Sequence, residues 1–526
     1  MTDFWSADRL FSDAEKLDKE IQSLEPYLMS VIQELSGITI TQQGAVRLAG
    51  FWLLHFVHRV HALIHDELRD AGEIFLDCDN SYSIQIPHDR RQEMAILATD
   101  SKFRKKVDRL AFHVWENGSL PENLQIEKRV ELFVPSTTKQ LVKSSLNSIR
   151  QSLSEDARIW IAHPYLKLSQ ADLISSQVKS RKWARWLPQE LTLSALEVTV
   201  NDGQRRELSR SVKVSNFSSL LRALLPLLLP FGYAEGLSRY RKQLMAQFPS
   251  PPKVLHSSIG LQVDHWYQVA ASVWGERGTI VSTHQHGGHS GLDERHVLED
   301  LEVRASDCYY TWGWASDNQW ETPLHIPLPR ASRKSLSRIL LMSLESTEFV
   351  YRLQPFVIPS HTRACFLETH NFFEALNKSE KLVARCRAQD RDLLRLNEFN
   401  VAWEPLSGSG TKSASSSKLV LHNYFGTSWL ETLAMNVPTV CFVPAGIHRF
   451  RAAAQPFIDA LVRVGVVHYS GREAAKFVNS LRGDPSSWWG SSEVQEAREA
   501  FVARYANFSD NWLDAWQAEF ESLLAE

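Results

Sequence analysis

The stretch Val281–Trp314, VSTHQHGGHSGLDERHVLEDLEVRASDCYYTWGW, decides how this chain is read. A short apolar segment, Thr279 to Ser282, runs into His284-Gln285-His286-Gly287-Gly288-His289. An apolar run that breaks into glycines reads as a buried strand opening into a loop. Three imidazoles on a flexible backbone at a strand's end suit a catalytic or ligand-binding site. A second strand–loop–helix unit lies downstream, Leu419 to Val443. Two such units point to a two-domain α/β enzyme with its site between the domains.

Outward from this stretch the same rhythm continues. Strands are expected at 159–162, Lys253–His256, Thr279–Ser282, Ile339–Leu344, Ala364–Leu367, Leu382–Arg385, Asn400–Trp403, Leu419–Leu421, Thr439–Val443 and Val464–His468. Helices are expected over Trp266–Trp274 and near 370–377 and 390–396. Alternation of this kind implies parallel sheets flanked by helices. Residues 1 to about 75 and 100–155 read as mainly helical. The proline-rich segment 321–330 reads as the hinge between the halves, and LSGSGTKSASSSK (406–418) as a mobile surface loop. That loop holds Gly-Thr-Lys-Ser without GxxxxGK[ST], which rejects a Walker loop. The C-terminal stretch reads as an aromatic-rich amphipathic helix docked on the body.

The bulk properties agree with a multi-domain globular protein of 526 residues. Apolar residues make up 44% and charged ones 23%, and a net charge of −3 gives no general drive toward nucleic acid. Five scattered cysteines (Cys78, Cys308, Cys365, Cys386, Cys441) form no CxxC, which argues for a reducing compartment and against a structural zinc site. The N-terminus lacks signal-peptide character, and the longest apolar run, Leu220–Phe231, is broken by Arg222 and Pro226. The expectation is a cytoplasmic protein, with peripheral contact at the inner face of the membrane left open. Seventeen tryptophans are many, and most fill the core; a few, such as Trp314, flank the candidate site.

Four constellations carry chemistry. His284 and His286 would share a side if the strand persists that far, with Gly287-Gly288 offering backbone N–H groups. His289, His296 and Glu299 follow closely. The spacing HxHxxH keeps a metal reading open beside organic catalysis, phosphate binding and plain structural histidines. Asp264, between a strand and a helix, reads as an N-cap or as a nucleophile or base facing the cleft. Gly426-Thr427-Ser428 opens an apolar helix after a strand; Ser428-x-x-Glu431 reads as a capping box and the helix start as an anion site. Arg385 and Arg387 leave a strand end on one face, placed for a phosphate or sugar carboxylate or else for surface ion pairs.

In this order, these residues resemble a bacterial family of transferases for surface carbohydrates, related more distantly to the retaining β-Kdo transferases of lipopolysaccharide and capsule assembly. The resemblance rests on Arg47, Gly50-Phe51-Trp52-Leu53, Asp66, Leu228-Leu229-Pro230, Asp264, Gln285-His286-Gly287-Gly288, Asp307 and Thr311-Trp312-Gly313-Trp314. It continues with Arg385, Asp390, Gly426-Thr427, Leu430-Glu431-Thr432-Leu433 and Asn436-x-Pro438-Thr439. A looser similarity extends to glycerophosphate polymerases. The chain departs from the family at His289-Ser290, where an aromatic is usual two residues past the glycines, and at His65-Asp66-Glu67 in place of an aspartate–arginine pair.

Such resemblance implies a GT-B fold, two Rossmann-like domains facing across a cleft, with no metal and no cofactor required. The domains are expected at 1–154 (helical extension), 155–330 (acceptor side), 331–500 (nucleotide-sugar side) and 501–526 (C-terminal helix on the body). The expected activity moves an activated sugar, CMP-linked and Kdo-like, onto a glycan or lipid-linked glycan acceptor of the bacterial surface. Asp264 is the candidate nucleophile, and His286 handles the departing phosphate or acceptor proton. His284, Gln285, Gly287, Gly288, Glu299 and Trp314 would line the substrate side; Arg385, Arg387, Gly426, Thr427, Ser428 and Glu431 would hold the nucleotide sugar. The alternatives are a metal-dependent hydrolase using His284, His286 and His289, and a non-catalytic nucleotide- or glycan-binding protein.

Overall fold

The computed structural model describes residues 6–65, 82–129, 158–163, 184–186, 198–316, 321–329, 336–347 and 349–525. Asp66, Glu67, Cys78 and the helical stretch expected over 130–155 lie outside them. A two-stranded parallel pair, β1 (Ser83–Ile86) and β2 (Gln125–Lys128), precedes the main sheets. The first main sheet contains β3 (Ile159–Ala162), β4 (Ala184–Trp186), β5 (Val254–Ser257), β6 (Ile280–His284), β7 (Cys308–Thr311) and β8 (Glu321–Pro323). It runs β4-β3-β5-β6-β7-β8, every pairing parallel. A short β9 (Ile326–Pro327) pairs with β16 (Phe508–Ser509) near the C-terminus.

The second main sheet contains β10 (Leu336–Met342), β11 (Leu382–Arg385), β12 (Ala402–Glu404), β13 (Ser417–His422), β14 (Thr439–Phe442) and β15 (Val467–His468). Its order, β12-β11-β10-β13-β14-β15, is the doubly wound 3-2-1-4-5-6 of a dinucleotide-binding sheet. Parallel sheets are covered on both faces, so β5, β11 and β14 are buried at every position. The chain therefore has the GT-B-like architecture of two Rossmann-like domains.

Each sheet has one place where consecutive connections leave in opposite directions, and ligands gather at such points beyond the carboxyl ends of strands. In the first sheet it lies between β3 and β5, where His163 and Ser257-Ser258 emerge. In the second it lies between β10 and β13, where Asn423 Oδ1 accepts from the Leu344 N–H at 2.7 Å.

The helical N-terminal segment shares one core with the first sheet. α1 (Ala7–Ser36) and α2 (Gln42–Ile64) contribute Leu24, Ile32, Trp52 and Val57 to the cluster that includes Leu255, Tyr267, Trp274 and Val281. α2 is buried from Gly44 to Ile64. Arg47 on α2 bonds Asp307 at 2.7 Å, and Asp307 in turn accepts from the Val281 N–H at 2.8 Å. The C-terminal helix Trp512–Ala525 crosses back to the first sheet, where Trp516, Phe520 and Leu523 cover Ile159, Val254 and Tyr310.

Three local expectations change. Residues 364–367 lie in the helix Pro359–Ala375, whose Pro359 sits in the first turn, where a missing N–H costs nothing. A four-residue apolar run does not distinguish a strand from one face of a buried helix. The polar loop 406–418 contains the helix Gly410–Ser415 and the start of β13, with Thr411 and Ala414 buried. The strands β1, β2, β4, β7, β8, β9 and β16 were not among those expected; β2 lies in a stretch read as helical, and β8 and β9 in the segment read as a hinge.

The domains meet along an antiparallel contact. Asp293 and Phe450 form a β-bridge, the Glu294 N–H donates to Arg449 O at 3.0 Å, and the Arg451 N–H donates to Leu292 O at 2.9 Å. Arg451 also bonds the buried Glu299 carboxylate. Removing one partner of a buried ion pair leaves the other charge uncompensated, at about 3–5 kcal/mol. The Arg451 side chain is 24% exposed, which lowers that figure. Arg451→Met is expected to lower Tm by on the order of 5 °C, with most of the loss recovered when Glu299→Gln is added. Thermal unfolding of the single and double variants checks this; equal Tm in wild type and Arg451→Met contradicts it.

Candidate functional site

At the carboxyl edge of the first sheet, Asp264 serves as the N-cap of the helix His265–Gly275. Its Oδ1 accepts from the N–H groups of Trp266 (2.9 Å) and Tyr267 (3.3 Å). Its Oδ2 lies 2.5 Å from His163 Nε2. His163 ends β3 with φ of 40°, a left-handed backbone that a non-glycine residue adopts only when surroundings enforce it. The enforcement is visible: its carbonyl accepts from Ser258 N–H (3.2 Å) and Ser258 Oγ (2.7 Å). Capping and pairing thus coexist on one carboxylate, which remains partly open to solvent.

β6 ends at His284, so the condition for His284 and His286 to share a side is not met. His284 turns under the C-terminal helix, its Nδ1 3.0 Å from His256 Nε2 and its ring against Trp516. His286 lies in the loop on the other side of that turn. There the Gln262 amide nitrogen is 3.4 Å from His286 Nε2, and Glu302 Oε1 is 3.4 Å from His286 Nδ1. His289 goes to a third place, 3.3 Å from Asp293, which also faces His448 of the second domain at 3.2 Å. Among the described residues the three histidines do not converge as metal ligands do.

Burial sets the protonation of this region. It pushes His286 down to about 4, aided by the charge of Arg352, so the imidazole is neutral near pH 7. It pushes Glu302 up to about 8, against the hydrogen bonds from Gln262 and Tyr309, so that carboxyl holds its proton at pH 7. Tyr309 donates to Glu302 Oε2 at 3.2 Å, and the Gln262 amide bonds Oε1. A neutral acid and a neutral imidazole in one hydrogen-bonded group can hold or pass a proton near neutral pH.

Gln285 is a staple: its Oε1 accepts from the Trp312 N–H (2.9 Å) and Trp314 Nε1 (2.8 Å), and its Nε2 donates to Gly287 O (2.8 Å). It ties the β6 loop to the β7 loop. Trp314 has Arg451 over its ring, and Glu299 accepts from the Gly291 N–H at 2.7 Å. Burial pushes Glu299 up to about 7 despite Arg451. Gly287 is open, whereas Gly288 touches the other domain. A Cβ on Gly288 would stand 2.4 Å from the Gly426 carbonyl carbon and 2.7 Å from the Thr427 N. Only glycine permits that approach.

In the second domain the helix Thr427–Ala434 has Gly426 at its N-cap and no side-chain cap. The expected capping box is not formed, because the helix begins two residues earlier and Ser428 lies inside it, its Oγ 3.4 Å from His422 Nδ1. The first-turn N–H groups at Thr427 and Ser428 therefore carry the helix's positive end with no side chain across it. Glu431 sits farther along the same helix. Arg385 is engaged by Glu404 Oε1 (2.8 Å) and by the carbonyls of Pro405, Leu406 and Gly408 at 2.8–2.9 Å. It anchors the 404–408 turn. Arg387 pairs with Glu345 in a largely exposed position.

The sequence reading missed His163, Gln262, Glu302 and Arg352. Glu302 follows Glu299 by three positions on one helix, the spacing of side chains that share a face. Arg352 is brought in by a segment of the second half, Phe349–Ile358, whose Val350, Leu353 and Ile358 join the first domain's core. Its Nε is buried without a hydrogen-bond partner, and among the described residues no acidic side chain pairs with it.

A family model described as "LIC12162 family transferase" matches residues 105–520. Among solved structures, the spinosyn rhamnosyltransferase SpnG with spinosyn aglycone is 11% identical, with TM-score 0.35 over 69% of this chain and 100% of that one. MurG of Acinetobacter baumannii is 11% identical, with TM-score 0.34 over 70% and 99%. No curated protein matches the chain.

The protonation pattern gives a pH dependence with a definite sign. A buried carboxyl whose value is raised from 4.5 to about 8 contributes stability that is complete below pH 4.5 and lost as pH rises through 8. The buried histidines act oppositely: their contribution is complete above 6.5 and lost as pH falls toward 4. Between pH 6.5 and 8.5 the carboxyls therefore dominate. Wild-type stability is expected to fall there by about 1 kcal/mol per pH unit. In Glu302→Gln the fall of Tm with pH is expected to be much shallower; an unchanged slope would show that Glu302 is ionised in the folded chain.

Proposed function

The chain belongs to the LIC12162 family of transferases, and we propose that it is a glycosyltransferase using a nucleotide-activated sugar. The observation that carries this reading is the contact of Gly288 with Gly426 and Thr427, which sets the His-Gly-Gly loop of one Rossmann-like sheet against the uncapped helix start of the other. The donor phosphate sits at the Thr427–Ser428 helix start. Arg352, a cation beside His286, faces the anionic part of the donor.

Asp264 is the nucleophile of a retaining double displacement. The carboxylate attacks the anomeric carbon as the nucleotide phosphate leaves, forming a glycosyl ester; the acceptor hydroxyl then displaces Asp264 and gives up its proton. The N–H groups of Trp266 and Tyr267, with His163, aim the carboxylate. His286, neutral and backed by Gln262 and Glu302, accepts the acceptor proton or donates to the departing phosphate. The donor is CMP-linked and acidic, of the Kdo type, and the acceptor is a bacterial surface glycan or its lipid-linked precursor. The activity is cytoplasmic and needs no metal.

Asp264→Asn and His286→Ala are each expected to lower transfer from the active nucleotide sugar at least about 1,000-fold, with circular dichroism and Tm near wild type. Asp264→Asn removes the nucleophile while leaving an N-cap acceptor. Turnover within a few-fold of wild type in either variant contradicts the assignment. Donor binding in wild type without transfer or hydrolysis would instead favour a non-catalytic binding protein.

A further inference from the structure

We propose that His88, Asp89 and His265 form a binding site for one divalent transition-metal ion of the zinc class, built into the first domain next to Asp264. Each of the three offers a ligand atom, and these atoms lie within 4.8 Å of one another; among the described residues they are the one such group. They come from distant parts of the chain. His88-Asp89 precedes the helix Arg90–Thr99, and His265 is the first helical residue after Asp264.

Several independent features suit an ion. His265 is 7% exposed, yet its Nε2 has no hydrogen-bond partner, an expensive state for a buried polar atom. Gly232 packs closely against both rings: a Cβ there would stand 2.5 Å from His88 O, 2.9 Å from His265 Nε2 and 3.1 Å from His88 Nε2. Asp89 Oδ2 lies 2.8 Å from His88 Nδ1, so these two ligand atoms already stand side by side. His88 Nε2 is 2.6 Å from the Tyr240 hydroxyl, which holds the ring from its other side.

The donor set selects the ion class. Two imidazole nitrogens with a carboxylate suit zinc and its first-row neighbours, whereas magnesium and calcium prefer oxygen-rich cages. Zinc–nitrogen bonds of about 2.0–2.1 Å require only a small inward movement of ligand atoms already within 4.8 Å of one another. The ion would fasten two segments together: the turn before Arg90 and the start of the helix that Asp264 caps. This role is positional and stands apart from the glycosyl-transfer reading.

The test uses the full-length chain, loaded with zinc, dialysed, and assayed for bound metal by mass spectrometry. About one zinc per chain is expected in wild type and in a His370→Ala control, with retention falling at least about tenfold in His88→Ala, His265→Ala and the near-isosteric Asp89→Asn. Asp89→Asn keeps a side-chain acceptor for the helix start, so its fold is expected to persist. With cobalt(II) in place of zinc, visible absorption of a low-coordinate nitrogen/oxygen site is expected in wild type and lost in His265→Ala. Wild type that retains essentially no zinc overturns the proposal, and so does zinc retained equally by wild type and all three variants.

Discussion

The structure depends on how the charged Arg451 and the neutral His448 of the second domain are held inside the first. Arg451 reaches the buried carboxylate of Glu299, and His448 faces the fully buried Asp293. The bridge between Asp293 and Phe450 fixes the register of that contact. Charges taken out of water in this way demand good geometry, because the Coulombic gain must exceed a desolvation cost of several kcal/mol per ion. That demand leaves little freedom in how the sheets meet. With the 291–294 and 448–451 segments in register, Gly288 is driven against Gly426, and the carboxyl ends of both sheets oppose each other. Apolar exchange reinforces this: Leu292, Trp312 and Trp314 lie in the second domain's core, and Val350 and Leu353 lie in the first's.

The consequence for chemistry is a separation of roles by burial. Asp264 stays at a partly open edge, polarised by backbone N–H groups and His163. His286 and Glu302 lie deeper, where desolvation makes both neutral. The helix start at Thr427 presents positive dipole ends. In the proposed sugar transfer these three would serve as nucleophile, proton-handling group and anion site. Among the described residues no helix is long and apolar enough to cross a membrane.

Much of the fold was legible because parallel strands, covered on both faces, leave short apolar runs ending in glycine or histidine. β5, β6, β11, β13 and β14 fall where such runs predict them. The run at 364–367 misled because four apolar residues in a row fit either a strand or a buried helical turn, and only Pro359 and the spacing to Phe372 distinguish them. The strand-end positions of Asp264 and of the Gln285–Gly288 loop in the candidate site were legible, but not their wiring. Nothing local says that Arg385 would be consumed by the 404–408 turn, or that His284 and His286 would part at the strand's end. Glu302, His163 and Arg352 were hidden because their meaning comes from contacts across long sequence separations. A helix cap that shifts by two residues was enough to turn the expected Ser428 box into an uncapped helix end.

The account stands or falls on whether nucleotide is held where the two sheets meet. Hydrogen exchange of the full-length chain, with and without saturating CMP, CDP, UDP or GDP, measures this directly. The account predicts that the nucleotide that binds slows exchange in both 285–291 and 423–431, one segment from each domain. Slowed exchange confined to segments away from both, or no effect of any of the four nucleotides, would contradict it.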